Sequence, residues 1–155
     1  MIHLYADGSS RGNPGPGGYG AILRYGAHEK ELTQGFRLTT NNRMELLAVI
    51  VGLEAITRPE LPVLIVSDSK YVIDAVEKKW VFNWAQKPDF AKKANEDLWR
   101  RFLKIYSQRS VRWHWVRGHQ GHPENERCDQ LAVQSALGKG LLVDEGYEAL
   151  ASPAR

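Results

Sequence analysis

Val63-Leu64-Ile65-Val66-Ser67-Asp68 is the stretch on which the fold turns. Four apolar residues run without a break from Pro62 and stop at a hydroxyl and a carboxylate. A short continuous run of this kind suits a central strand covered on both faces, which places it in an α/β sheet. Upstream, Asn42 followed three residues later by Glu45 resembles a helix N-cap with its reciprocal acid. The helix behind it, through about Ile56, is apolar nearly all round (Leu46, Leu47, Val49, Ile50, Val51, Leu53), so it should be buried on most sides. Pro59 and Pro62 bracket the break between this helix and the strand.

Working outward, shorter helical segments are expected around Tyr71–Val76 and Trp80–Ala85, and a longer one around Lys92–Tyr106. Val111, Trp113 and Trp115 alternate with polar residues as a further strand. Pro123 suits the first turn of a helix whose stripe is Cys128, Leu131, Ala132, Ser135 and Ala136, ended by Gly138 and Gly140. At the other end, Ile2, Leu4 and Ala6 mark a strand closing at Asp7-Gly8. Gly8 to Gly20 holds six of the fourteen glycines and reads as one constrained loop. Tyr19–Tyr25 and Glu29–Leu38 form a hairpin about Gly26-Ala27. The expected order is three strands, a helix, a strand, a set of helices, a strand and a helix: a mixed sheet packed by helices.

With 155 residues, 43% of them hydrophobic and 25% charged, one globular domain can fold without staples. A single cysteine, Cys128, excludes an intrachain disulfide framework and a cysteine-rich zinc site, and suits a reducing compartment. The longest apolar run, Leu46 to Leu53, is too short to span a bilayer, so no membrane partner is expected. No basic-then-apolar leader precedes Asp7, and a cytoplasmic location is the expectation. With no surplus apolar face, so is a monomer. Residues 1–138 are read as the domain, and 139–155 as a loosely packed acidic tail carrying Asp144, Glu145 and Glu148. The net charge of +3 is mild, but Lys78 to Lys93 carries five lysines against Asp89, interleaved with Trp80, Phe82, Trp84 and Phe90. That mixture suits a nucleic-acid strand, and equally an amphipathic helix with its rings in the core.

Four acids share a geometric opportunity. Asp7 and Asp68 each close a strand, and α/β sites gather outside the carboxyl ends of strands. If those strands are parallel neighbours, the two carboxylates emerge side by side. Glu45 and Asp129 lie in the first turns of their helices, within reach of the same edge. Each has a structural alternative: a turn for Asp7-Gly8, a capping role for Glu45 and Asp68, and plain solvation for Asp129. Together, clustered carboxylates raise one another's pKa unless cations neutralise them, and Mg²⁺ is the hard cation held by a few carboxylates beside substrate phosphate.

Four long stretches, in order, resemble the motifs of the bacterial ribonuclease H type 1 family: Tyr5–Ser9 with Gly12–Ala21, Thr39–Leu46, Ser67–Val72 and Trp115–Asp129. The resemblance covers nearly everything up to about Gly138. It implies a ribonuclease-H-like fold, a five-stranded mixed sheet with three antiparallel strands then two parallel ones and helices on both faces. It also implies endonucleolytic hydrolysis of the RNA strand of an RNA–DNA hybrid, leaving 5′-phosphate and 3′-hydroxyl ends. Asp7, Glu45, Asp68 and Asp129 would be the metal-binding set for two Mg²⁺ ions, with Mn²⁺ an alternative, about 3.5–4 Å apart. His119 would be an auxiliary proton carrier. The Gly8–Asn13 loop backbone, Asn13 and Asn42 would approach the RNA minor groove, with Glu45 sensing a 2′-hydroxyl. Thr40 and Asn42 would grip a DNA phosphate, Trp80 and Trp84 would face a DNA channel, and Asn41, Lys70 and Lys87 would be further nucleic-acid contacts. One departure stands out: the basic protrusion, Ala85-Gln86-Lys87-Pro88-Asp89-Phe90-Ala91, is short and diluted. Fewer phosphate contacts and a shallower salt dependence are therefore expected. A hybrid-binding module without activity would lack one of the acids, and a two-domain ATPase of related topology would need more chain.

Overall fold

A computed structural model of the chain describes residues 1–87, 94–116 and 122–151. Strands β1 (Ile2–Ser10), β2 (Gly15–Tyr25), β3 (His28–Thr39), β4 (Val63–Ser67) and β5 (Val111–Trp115) form one sheet in the order β3-β2-β1-β4-β5. β1–β2 and β2–β3 pair antiparallel, whereas β1–β4 and β4–β5 pair parallel. The helices are α1 (Asn41–Glu54), α2 (Lys70–Glu77), α3 (Trp80–Ala85), α4 (Glu96–Tyr106), α5 (Pro123–Leu137) and α6 (Glu145–Ala151). This is the expected mixed α/β architecture. No helix among the described residues is long and apolar enough to cross a membrane.

The larger core lies between one sheet face (Leu4, Val63, Ile65) and α1 to α4, with Trp99, Phe102 and Leu46 fully buried. α1 is buried on most sides because the sheet, α2 and α4 all pack against it, as its all-round apolar sequence predicted. Trp99 and Phe102 meet edge to face with ring centroids 5.4 Å apart. On the opposite face, Tyr5, Ile22, Val66, Cys128 and Leu131 form a smaller core beneath α5.

Three expectations need correction. Gly8 to Gly20 is not one loop: Gly8, Ser9 and Ser10 continue β1 and pair with Tyr19, Gly18 and Gly17 of β2. Gly12 stays in the β1–β2 turn, while Gly8, Gly18 and Gly20 lie in strands that helices approach closely; a Cβ at Gly20 would fall on the backbone of Cys128 in α5. The N-cap of α1 is Thr40, whose hydroxyl accepts from Arg43 N at 3.3 Å, so Asn42 lies inside the helix and Glu45 is released from a capping box.

The third correction concerns the segment after Gly138. Leu142 bridges to Phe36 on the β3 edge, its N–H donating to Gly35 O at 3.0 Å and its carbonyl accepting from Arg37 N at 2.9 Å. Asp144 is 7% exposed and accepts from Arg43 Nε and Nη2, both at 2.8 Å, and from Thr39 Oγ1 at 2.6 Å. Arg43, 1% exposed, also donates to both oxygens of Asp97, at 2.8 and 2.7 Å. In α6, Glu148 pairs with Arg37 at 2.8 Å. Through residue 148, then, the tail is tied to the domain. The tail reads as loosely packed in sequence because the partners of its acids are distant: Arg43 lies 101 positions from Asp144 and Arg37 lies 111 from Glu148.

Arg43 to Ala leaves Asp144 buried without its charge partner. The expected loss is about 3–5 kcal/mol, read as a lowered midpoint in urea unfolding. A variant with the parent's midpoint would contradict the role of this cluster.

Candidate active site

Ala6 of β1 pairs with Ser67, the last residue of β4, so Asp68 follows beside Asp7, which does not close its strand as expected but lies within β1 and pairs with Gly20 of β2. This is the parallel adjacency that the strand-end argument required. Glu45 arrives from α1. That approach depends on Gly8, where a Cβ would fall on the backbone of Met44 and Glu45. One oxygen from each of Asp7, Glu45 and Asp68 lies within 4.8 Å of the others.

Each carboxylate is held from its own side. Asp7 Oδ1 accepts from Gly8 N at 2.9 Å. Glu45 Oε1 accepts from Asn41 Nδ2 at 2.5 Å, and Asn41 N in turn donates to Asn13 Oδ1 at 3.1 Å. Ser69, not Asp68, caps α2, its hydroxyl accepting from Val72 N at 3.3 Å, which leaves the Asp68 carboxylate free of capping duty.

Burial and mutual repulsion disfavour ionisation here. The Asp7 carboxyl is pushed up to about 8, mainly by burial and next by the charge of Asp68; Asp129 and Glu45 add to this and the Gly8 N–H opposes it. Glu45 is pushed up to about 7 by burial, with Asp68 adding and a hydrogen bond from Ser69 opposing. Among the described residues, no lysine or arginine forms an ion pair with any of the three. An all-oxygen donor set, crowded and without a cation partner among the described residues, fits a hard divalent ion such as Mg²⁺.

Asp129 follows the fully buried Cys128 on α5 and is half-buried. Its charge reaches Asp7, but it is not one of the three acids that share the 4.8 Å cluster. His119 lies outside the described residues, as do positions 88–93 of the basic segment. Asn13, Thr40, Asn41 and Asn42 gather where the β1–β2 turn meets the start of α1, beside Gly8. Lys70 opens α2 and Lys87 follows α3, both exposed. Trp80 is 43% exposed with Lys78 Nζ 5.1 Å from its ring centre. Trp84 differs from it: half-buried, it packs on the main core, edge-on to Trp99 at 6.2 Å. The two tryptophans therefore divide the two readings of that segment between them. Sequence reasoning missed Ser67 and Ser69, which flank Asp68, and the only signal for them was the hydroxyl on each side of the acid.

The RNase H family model matches residues 1–137 of the chain. Ribonuclease H of Idiomarina loihiensis is 51% identical over 150 residues, 94% of each chain. The crystal structure of LC9-RNase H1, a type 1 RNase H with the type 2 active-site motif, superposes with a TM-score of 0.77 at 35% identity, covering 99% of this chain and 81% of that one. LC11-RNase H1, solved in complex with an RNA/DNA hybrid, shares the fold with a TM-score of 0.70 at 21% identity, over 88% of this chain and 96% of that one.

The raised Asp7 pKa makes a stability prediction. In the folded chain Asp7 keeps its proton up to about 8, whereas unfolded it loses it near 3.8. The native state thus binds more protons across that interval, and stability falls as pH rises through it. Asp7 to Asn removes this loss. In chelator, the variant should gain stability over the parent progressively from about pH 4 to pH 8 in urea unfolding. A stability difference that does not change with pH would contradict the shift.

Proposed function

The chain belongs to the ribonuclease H family, and from that membership we propose that it hydrolyses the RNA strand of RNA–DNA hybrids, giving 5′-phosphate and 3′-hydroxyl ends. The catalytic unit is taken as residues 1–138. What carries the reading is the crowded set of Asp7 on β1, Asp68 just past β4 and Glu45 on α1, two of them with raised pKa values and none with a protein counter-ion among the described residues.

Asp7, Glu45, Asp68 and Asp129 would hold the divalent ions. When bound, two Mg²⁺ ions would supply Lewis-acid stabilisation to the attacking water and the leaving 3′ oxygen. The protein's own part is orientation. Asp7 is fixed by its neighbour's amide and by the rigid strand beneath it. Glu45 is fixed by Asn41, itself anchored to Asn13, so the residues that would meet the RNA minor groove are hydrogen-bonded to a metal-binding acid. A 2′-hydroxyl reader of this kind is what strand discrimination requires. Exposed Trp80 with Lys78, and exposed Lys70 and Lys87, would meet the rest of the hybrid through stacking and phosphate contact. His119, by the family resemblance, would carry protons near neutral pH.

Incubation with labelled RNA–DNA hybrid, duplex DNA and duplex RNA, each with Mg²⁺ or with chelator, tests the proposal. Cleavage is expected only in the RNA strand of the hybrid and only with the ion. Asp7 to Asn should nearly abolish it, and His119 to Ala should slow it by about 10²-fold. Cleavage that persists in chelator, or equal mild losses in both variants, would contradict these roles.

A further inference from the structure

The two peptide units on either side of Asp68 are held by hydrogen bonds. The carbonyl of Ser67 accepts from Val116 N at 2.9 Å, which fixes the peptide entering Asp68. The peptide leaving Asp68 is gripped at both ends: its N–H, on Ser69, donates to Ser67 Oγ at 3.0 Å, and its carbonyl, on Asp68, accepts from the indole Nε1 of Trp115 at 3.3 Å. The direction in which a side chain leaves its Cα is set by the planes of these two peptides. The indole bond is the one that comes from a side chain of another strand.

Trp115 closes β5 at the register position opposite Ser67. It is 41% exposed, far more than the tryptophan that builds the main core, Trp99, which is fully buried. Its size is therefore poorly explained by burial alone. Its ring reaches across the strand end to the backbone of an acid in the carboxylate cluster.

We propose that Trp115 is a positioning residue for Asp68, its indole N–H holding the Asp68–Ser69 peptide so that the carboxylate faces Asp7 and Glu45. This rests on the reading of Asp68 as a metal ligand. Hydrogen bonds that orient a ligand tune metal affinity even when they never touch the ion. Trp115 to Phe keeps an aromatic ring and removes the donor. Ser67 to Ala frees the other end of the same peptide.

The test is Mg²⁺ titration by calorimetry on the full chain without substrate, alongside steady-state kinetics on a hybrid. Trp115 to Phe should weaken Mg²⁺ binding by about tenfold, the low end for losing a bond that orients a ligand. KM for the hybrid should not change, the lost rate should return at high Mg²⁺, and the urea midpoint should match the parent. Ser67 to Ala should weaken Mg²⁺ binding in the same direction, and the double variant should lose less than the two single losses combined. Unchanged Mg²⁺ affinity in Trp115 to Phe would overturn the proposal. A raised KM with unchanged Mg²⁺ affinity would overturn it too, and would assign the exposed ring to substrate stacking. If the unaltered protein bound no Mg²⁺, the reading of Asp68 as a ligand would itself fall, a result separable from failure in the variant alone.

Discussion

The parallel pairing of β1 with β4, Ala6 against Ser67, sets Asp68, just past the end of β4, beside Asp7 within β1 and so forces like charges together. Packing completes the crowding. α1 can lie close enough to β1 to deliver Glu45 only because Gly8 has no side chain, and α5 can lie close to β2 only because Gly20 has none. The sheet and the two helices thus create a local electrostatic cost that nothing else among the described residues relieves by an ion pair. A fold stable enough to bear that cost has a place ready for a cation.

Arg43 supplies the contrast. Asp97 and Asp144 also sit close together around a buried point, yet a single guanidinium hydrogen-bonds both. Burial pulls that guanidinium's pKa down and the two carboxylates more than reverse it, so Arg43 stays charged between them. Two positions further along the same helix, Glu45 has, among the described residues, the uncharged groups of Asn41 and Ser69 for hydrogen bonds and is pushed towards protonation. Among the described residues, what sets these acids apart is the presence or absence of a protein cation, and it separates residues that composition alone would treat alike.

Much of this was legible beforehand. Val63–Val66 announced a central strand, and the all-round apolar Leu46–Leu53 announced a helix buried between layers. Asp68 could be placed at a strand end, Asp7 was expected at one but lies within β1, and their meeting depended on one unproven adjacency that the sheet order supplies. What escaped reading was of one physical kind: contacts between distant parts of the chain. Gly18 and Gly20 looked like part of a loop because their reason, the close approach of α5, lies more than a hundred residues on. The tail around Asp144 looked loosely packed because Arg43 gave no sign of reaching it. Asn42 looked like a cap because Thr40, two residues earlier, offers the same chemistry in the correct extended backbone.

The central claim is that the carboxylate cluster carries protons at neutral pH which a bound divalent ion must displace. Mg²⁺ titration by calorimetry at pH 7, in two buffers with different ionisation enthalpies, counts those protons directly. With Asp7 pushed up to about 8 and Glu45 to about 7, binding should release on the order of one proton, and the apparent heat should differ between the buffers accordingly. Identical heats in both buffers would mean that the cluster is already ionised before the metal arrives, and would contradict the account.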